Sequence, residues 1–266
     1  MLRLLDDGYI ELKYPWGSDE AIIEAARMST NKGFLGWGPS KCLTCNGEGF
    51  YDEQKEELFS EVMCSTCKGM GSTEGDEKLL RYLWAHKHTS PFEMAGAVFE
   101  IQAPIFVIRE WHRHRVQAIH EGFSFNEMSG RYTELPNMFY TPSTERLMKG
   151  KQSKSNKQSS KEGFSEAEAF RLRQEYHYIY EKCRDMYENL LRMGVSRELA
   201  RLVLPVSQYS KMRASANLWG WLHFLGLRLD KGAQYEIRVY AEAITDILRQ
   251  QFPKTLALFD EERREK

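Results

Sequence analysis

The chain has 266 residues, a formal net charge of −1 and a hydrophobic fraction of 42%. This length suits one large domain or two small ones, and the near-neutral charge gives no general reason to expect nucleic acid or an anionic membrane as a partner. No apolar run approaches the roughly 20 residues that span a bilayer. The N-terminal stretch, with Asp6 and Asp7, lacks the apolar segment of a signal peptide, so we expect a cytoplasmic protein.

The N-terminal residues predict a strand followed by a helix. Residues 9–14 alternate between polar and apolar side chains, as a half-buried strand does. Ser18 precedes an acidic first turn and an apolar face. This pattern is typical of a capped amphipathic helix, which we expect to end near Ser29 and Thr30.

Residues 33–75 interrupt this pattern with two motifs that each read Cys-x-x-Cys-x-Gly-x-Gly. Four thiolates at this spacing match a tetrahedral structural zinc site, which leaves no open coordination position for catalysis. The repeat resembles the zinc knuckles of the chaperone DnaJ. We therefore expect an inserted zinc-binding segment, with a redox dithiol as the alternative. The expected metal ligands are Cys42, Cys45, Cys64 and Cys67.

The middle of the chain predicts a helix, a strand and a second helix. The first helix begins near Asp76, and Pro91 marks the turn after it, because proline disfavours helical geometry at the preceding residue. Residues 97–103 alternate as a strand does. Pro104 is well placed to open a helix that leads to the Arg-His-Arg sequence at 113–115.

The rest of the chain predicts a basic loop and then a helical third. Residues 149–163 are polar and low in complexity, so we expect a flexible loop, with a phosphate-binding tract as the alternative. Ser165 and Glu168 form a capping box before a long helix, and Ser196 caps a short one. Two more helices are expected, over 215–229 and 233–252.

Charge and hydrogen-bonding capacity concentrate in residues 111–132. Arginine binds phosphate through two parallel hydrogen bonds, and Gly130 lets a ligand approach the backbone closely. Aromatic side chains in the same stretch suit a planar ring. A network of surface salt bridges is the alternative explanation. The residues that could converge on an anion are Arg113, His114, Arg115, Ser129, Arg131, Arg201 and Arg228.

Several blocks, in a fixed order, resemble the flavin-dependent thymidylate synthases, the ThyX family. The family signature is Arg-His-Arg followed by a serine, and 113–115 with Ser129 is similar to it, because Asn126-Glu127 precedes this serine and Gly130-Arg131-Tyr132 follows it. The other similar blocks are EAARMS (24–29), HKHTSPFE (86–93), APIFVIREWHRHR (103–115), SRELARLVLP (196–205) and LGLRLDKGAQYEI (225–237).

The chain departs from the family pattern most clearly in the gap after Arg-His-Arg. Thirteen residues separate Arg115 from Ser129, which is longer than usual, and we place the extra residues within 116–122. Ser124 lies nearer the usual distance and is the alternative serine. Three single positions also differ: Glu110 stands where glutamine is common, Gly232 where histidine is common, and His223 replaces an amide side chain.

The resemblance implies reductive methylation of dUMP to dTMP. The family uses 5,10-methylenetetrahydrofolate as carbon donor, NADPH as reductant and FAD as hydride carrier, so the protein binds and orients these molecules. Arg228 is implied to stabilise negative charge on the uracil ring. Implied FAD contacts are Ser29, His88, Ser90, Glu93, Arg113, His114, Arg115, Glu127, Asn217 and His223. Implied dUMP contacts are Glu110, Arg113, Glu127, Met128, Ser129, Gly130, Arg131, Arg201 and Arg228.

The resemblance also implies an α/β (α+β) fold of the thymidylate synthase complementing type, with a sheet flanked by helices and a helical C-terminal third. It implies one domain over 1–266, carrying the 33–75 insertion and the 149–163 loop, and a homotetramer whose active sites are shared between subunits. No nucleic acid or membrane is expected as a partner. Two alternatives stay open: a zinc-knuckle module that binds nucleic acid or protein, and an inactive flavoprotein.

Overall fold

The computed structural model describes residues 1–42, 44–55, 58–73, 75–114, 123–154, 160–161 and 163–265; of residues 40, 51–55, 58–60 and 73 it describes the backbone alone. The strands are β1 (Leu2–Leu4), β2 (Gly8–Trp16), β3 (Ser40–Lys41), β4 (Phe50–Lys55), β5 (Leu58–Met63), β6 (Ser72–Thr73), β7 (Gly96–Pro104), β8 (Ser124–Glu127), β9 (Lys151–Gln152), β10 (Ser160–Lys161) and β11 (Tyr209–Asn217). The helices are α1 (Asp19–Arg27), α2 (Glu77–Ala85), α3 (Ile105–Trp111), α4 (Thr144–Met148), α5 (Glu166–Arg192), α6 (Arg197–Ala200), α7 (Leu218–Arg228), α8 (Tyr235–Gln251) and α9 (Pro253–Glu265). Single 3-10 turns cover Met28–Thr30, Ser90–Met94, His112–His114 and Arg201–Val203.

The chain forms two compact units. Unit 1 comprises Met1–Pro15 and Ala97–Ile247, and unit 2 comprises Trp16–Gly96 and Leu248–Lys266. No helix in the described ranges combines the length and apolar character needed to cross a membrane.

Unit 1 is built on a sheet whose described strands have the order β1-β2-β7-β11-β8. β1 pairs antiparallel with β2, and β8 pairs antiparallel with β11, where Met212 lies opposite Glu127. β7 is the central strand, and all its residues except the partly buried Glu100 are buried. Burial on both faces is expected of a strand that lies between two covering layers. The α/β fold expected from the sequence is therefore confirmed.

β11 corrects the prediction of a helix over 215–229. The strand extends to Asn217, and α7 begins only at Leu218. Burial alternates from Lys211 to Ala216, which is the period of a strand with one face in the core. This alternation is a strand signal in the sequence, but the apolar run of α7 that follows it obscures the boundary.

The helix α5 begins at the predicted capping box. Glu168 N donates to Ser165 Oγ at 3.3 Å, and Ser165 N donates to Glu168 Oε2 at 2.7 Å. At α6 the prediction of a side-chain cap is wrong, because Ser196 occupies the cap position without a side-chain hydrogen bond there. β9 and β10 pair antiparallel near the two ends of 149–163, while 155–159 and 162 lie outside the described residues, so the flexible loop stays a prediction.

Unit 2 contains α1, α2, α9 and the cysteine motifs. Asp19, in the first turn of α1, is buried and accepts hydrogen bonds from the backbone N–H groups of Lys254 (2.8 Å) and Thr255 (3.1 Å). A buried carboxylate needs such partners, so this contact joins α1 to α9. Arg27, at the end of α1, donates through Nε to the buried Asp76 at 2.9 Å, which joins α1 to α2.

Candidate active site

Arg228, at the C-terminal end of α7, is held by two residues of the α3 segment. Its Nη1 lies 2.8 Å from Glu110 Oε2, and its Nη2 donates to the Glu110 carbonyl oxygen at 3.2 Å. Its Nε donates to His114 Nε2 at 2.9 Å. A guanidinium has five N–H donors, so these contacts use three of them and fix the plane of the group. The result is a largely buried cation in a set orientation.

His114 accepts that hydrogen bond because its ring is neutral. Burial lowers the pKa of His114 to about 4, and the charges of Arg228 and His223 act in the same direction. At neutral pH the ring therefore keeps a lone pair on Nε2 for the Arg228 N–H. Protonation of His114 would replace this hydrogen bond with repulsion between two cations.

Aromatic rings lie around His114. Its ring centre is 4.9 Å from that of Phe224 and 6.2 Å from that of Phe123. Phe123 stacks on Phe125 with their centres 5.5 Å apart, and both rings are partly exposed. Trp111 is fully buried and stacks on Phe224, so it belongs to the core. Of the aromatic side chains expected to contact a planar ligand, the partly exposed Phe123 and Phe125 and the exposed Tyr132 have the exposure to do so.

Ser129, Gly130 and Arg131 form a turn beside Arg201. Ser129 Oγ accepts a hydrogen bond from the Arg131 N–H at 3.2 Å. Gly130 is buried, and a Cβ atom there would lie 3.2 Å from Arg201 Cδ, so the missing side chain lets Arg201 pass close to the turn. Arg131 Nε pairs with Glu198 at 3.1 Å. The side chains of Arg131 and Arg201 and the hydroxyl of Ser129 are thus grouped around the turn that follows β8, a combination that suits an anionic ligand.

Glu198 is a member of this group that the sequence reasoning missed. Its carboxylate orients Arg131, yet it is not part of the family signature at 113–115 and Ser129. The available signal was its position in the block 196–205, one helical turn before Arg201.

Other predicted residues of unit 1 lie on or directly beside α3 and α7. The His223 ring centre is 6.5 Å from that of His114. Asn217 Oδ1 accepts from the Gly220 N–H at 2.8 Å, so this side chain caps α7. Arg113 is exposed in the 3-10 turn that follows α3.

The segment between the Arg-His-Arg sequence and Ser129 is only partly described. Glu127 ends β8, and Met128 follows it; both are partly buried. Ser124, the alternative serine, is the exposed first residue of β8. The predictions for Arg115 and for the extra residues within 116–122 fall outside the described residues.

Four predicted FAD contacts belong to unit 2. Ser29 lies in the 3-10 turn after α1 and is exposed. His88 and Ser90 are exposed between α2 and β7. Glu93, in the same segment, accepts a hydrogen bond from Thr89 Oγ1 at 3.1 Å.

The four cysteines of the two motifs come together in unit 2. All four are buried, and their sulfur atoms lie within 4.8 Å of one another. Two separations are 3.7 Å (Cys42 to Cys64) and 3.6 Å (Cys45 to Cys67). Sulfurs bound tetrahedrally at the usual Zn–S length of about 2.3 Å lie roughly 3.8 Å apart, so this cluster fits one zinc ion.

Backbone N–H groups support negative charge on these sulfurs. The N–H of Gly49 donates to Cys45 Sγ at 3.2 Å, and that of Gly71 donates to Cys67 Sγ at 3.3 Å. Both glycines have positive φ, which L side chains rarely adopt. Burial acts to raise the pKa of Cys42, but hydrogen bonds from neighbouring backbone N–H groups lower it to about 6. A thiolate, the form that binds metal, is thus favoured at Cys42, whereas burial raises the pKa of Cys67 to about 11.

Known proteins are similar to this chain over most of its length. The family model described as "Thymidylate synthase complementing protein" matches residues 12–254. A flavin-dependent thymidylate synthase of Thermus thermophilus is 36% identical over 260 residues, covering 98% of this chain and 78% of that protein. One from Thermotoga neapolitana is 32% identical, with coverage of 97% and 93%. Among solved structures, the UMP/dUMP methylase PolB from Streptomyces cacaoi, bound with 5-Br UMP, has a TM-score of 0.72 and 29% identity, covering 97% of this chain and 96% of that one. The chain therefore belongs to the thymidylate synthase complementing family, the family of the flavin-dependent thymidylate synthases.

Proposed function

We infer that this chain is a flavin-dependent thymidylate synthase that converts dUMP to dTMP. Family membership over residues 12–254 supports this reaction. The structural observation that carries the inference is the cluster of Arg228, Glu110 and His114. A cation fixed before the reaction begins stabilises charge that develops in the transition state.

We propose 5,10-methylenetetrahydrofolate as the carbon donor and NADPH as the reductant. FAD, when bound, supplies the hydride chemistry that amino-acid side chains lack. The task left to the chain is to bind these molecules, orient them and polarise the pyrimidine.

For dUMP, we assign Arg228 to the uracil ring. Two of its N–H groups are not used by Glu110 or His114 in the described contacts and can donate to a ring oxygen. Negative charge stabilised on the ring makes its C5 atom nucleophilic without an attacking thiol. The grouping of Arg131, Arg201 and Ser129 suits the phosphate. The proposed dUMP contacts are Glu110, Arg113, Glu127, Met128, Ser129, Gly130, Arg131, Arg201 and Arg228.

For FAD, the chain has side chains of the chemical types that the cofactor needs, namely aromatic rings and an exposed cation. The partly exposed stack of Phe123 and Phe125 suits a planar ring, and Arg113 supplies an exposed cation for a diphosphate. The proposed FAD contacts are Ser29, His88, Ser90, Glu93, Arg113, His114, Arg115, Glu127, Asn217 and His223.

We propose that the four cysteines bind one structural zinc ion. The sulfur separations and the supporting backbone N–H groups favour this assignment over a redox dithiol. With four sulfur ligands the ion would have no open position, so its role would be to hold the insertion together.

We propose a homotetramer with active sites shared between subunits, and α5 as one of its contact surfaces. Apolar side chains recur along α5 at alternating spacings of four and three residues, the pattern of a helix that packs against another helix. Ile179, Met186 and Met193 of this row are 51%, 50% and 79% exposed. The α5 stripe comprises Leu172, Tyr176, Ile179, Cys183, Met186, Leu190 and Met193.

The proposed function is tested on the purified protein. We expect a yellow preparation with flavin absorbance and tritium release from dUMP labelled at C5. Release should depend on both methylenetetrahydrofolate and NADPH. A colourless protein would point to a binding module, and bound flavin without tritium release to an inactive flavoprotein.

A further inference from the structure

A cationic cavity lies between the second cysteine motif and α2, within unit 2. Its volume is about 550 Å³, and it is lined by Arg27, Lys32, Lys68 and Lys78. Among the lining residues that the structure describes, none is a carboxylate. Charges of one sign around a concave surface reinforce each other and attract an anion.

Three separate segments bring these charges together. Lys32 follows the 3-10 turn after α1, and its N–H donates to the Arg27 carbonyl oxygen at 3.3 Å. Lys68 comes from the second cysteine motif, and Lys78 from the first turn of α2. Arg27 is engaged by the buried Asp76, so we assign the positive charge available to a ligand to Lys32 and Lys68.

Lys68 has a backbone conformation that is unfavourable in free energy for a lysine. Its φ is +53°, in the left-handed region. The matching position of the first motif is Asn46, which has the same φ and is a residue type that adopts it readily. Lysine has no such preference. Because unfavourable backbone conformations are concentrated at functional sites, the lysine at this position points to a role for its charge in the cavity.

The remaining lining suits a nucleotide. Tyr82 is half exposed, and its ring packs beside that of His86 with the ring centres 4.0 Å apart; a planar base can extend this stack. Leu35 and Leu79 provide apolar surface beside it, and Ser72 provides a hydroxyl. An aromatic wall next to several ammonium groups matches a ligand with a ring at one end and a phosphate at the other.

We propose that this cavity binds the phosphomonoester of NADPH, with the phosphate on Lys32 and Lys68 and a ring on Tyr82. The inference rests on the proposed function, in which NADPH is the reductant and the dUMP phosphate has its own place at Arg131, Arg201 and Ser129. It gives the cysteine insertion a role, because the second motif holds Lys68 in the cavity wall.

The test compares ligands that differ only in the phosphate. Calorimetric binding of NADP⁺ and NAD⁺, and of dUMP and deoxyuridine, is measured on the wild-type holoenzyme, Lys68→Gln, Lys68→Arg and Lys41→Gln. Lys41 is the matched control, because it is an exposed lysine of the same insertion outside the cavity lining. We expect Lys68→Gln to lose roughly tenfold in the affinity for NADP⁺, as for a lost hydrogen bond to a charged group, and to keep its affinity for dUMP. Lys68→Arg and Lys41→Gln should stay within about twofold of the wild type.

The dUMP measurements distinguish this cavity from the proposed dUMP site. A loss confined to NADP⁺ supports the assignment to the reductant, and a loss of dUMP affinity would overturn it. Unchanged affinity of Lys68→Gln for both ligands would overturn the inference. Formation of dTMP with dithionite in place of NADPH tests the proposed function separately. If the wild type forms no dTMP this way, the proposed function fails whatever Lys68 does.

Discussion

Arg228 and His114 depend on each other's charge state. The guanidinium donates to a neutral imidazole, and the same guanidinium helps to keep that imidazole neutral. Glu110 balances the arginine charge through its side chain and its carbonyl oxygen. A cation that is already fixed and charge-balanced can stabilise charge on a pyrimidine without first rearranging. This preorganisation is the condition for electrostatic catalysis.

Replacing Arg228 with alanine should abolish most turnover while leaving flavin bound. Loss of one preorganised charge contact costs about 10² to 10³ in kcat. Tritium release from labelled dUMP measures the loss, and flavin absorbance measures occupancy. Arg238→Ala is the control, because Arg238 pairs instead with Glu242 on α8. Wild-type turnover in Arg228→Ala would contradict the assigned role.

His114 should make folding stability depend on pH. Its pKa is about 4 in the folded protein and about 6.5 in an unfolded chain. Since the unfolded state binds more protons between these values, stability is fully present above about pH 6.5 and falls as the pH drops toward 4. The thermal midpoint of His114→Gln should therefore fall less steeply than that of the wild type over this range. Equal slopes would show that His114 does not titrate as described.

Two elements are stabilised by local contacts that can be removed one at a time. The capping box of α5 satisfies backbone N–H groups that a helix start leaves without partners. The two cysteine motifs bring four thiols into one buried cluster. The capping box is local to four residues, whereas the cysteine cluster joins two short motifs that are 22 residues apart.

Ser165→Ala should lower the free energy of unfolding by about 1 kcal/mol, because the helix start loses its side-chain acceptor. Ser196→Ala should cost less, since the Ser196 side chain makes no cap hydrogen bond at α6. Chemical denaturation of the two variants measures the difference. A larger loss for Ser196→Ala would reverse the interpretation.

Native mass spectrometry should find one zinc ion per chain, and Cys64→Ser should lose it. Removing the ion leaves four close thiols without a common partner, so a thiol reagent should then react with them much faster. Cys183→Ser is the control, because Cys183 lies on α5 and outside the cluster. A zinc-free protein whose four thiols stay protected would contradict this prediction.

At the scale of the whole molecule, the α5 stripe is the surface on which the proposed assembly depends. Apolar side chains at heptad spacing are unfavourable in contact with water, and a partner helix would stabilise them by burying them. Active sites shared between subunits would then require the tetramer for activity.

Ile179→Glu should weaken the tetramer, because it places a charge in the middle of the α5 stripe. Sedimentation velocity should show smaller species for this variant. Tyr178→Glu is the matched control, since Tyr178 is similarly exposed on the same helix but lies outside the stripe. A stable tetramer in Ile179→Glu, or the same dissociation in both variants, would exclude the stripe as a contact surface.

By itself, the sequence determined the features that depend on neighbouring residues: the cysteine motifs, the capping box of α5 and the family blocks. It misassigned Ser215, Ala216 and Asn217 because the period of a strand and that of a helix meet there without a turn residue. Only the tertiary structure decided that Arg228 meets His114, 114 residues away along the chain, and that Glu198 orients Arg131. Such contacts arise when distant elements pack together, and no local period of the sequence specifies which side chains then face each other.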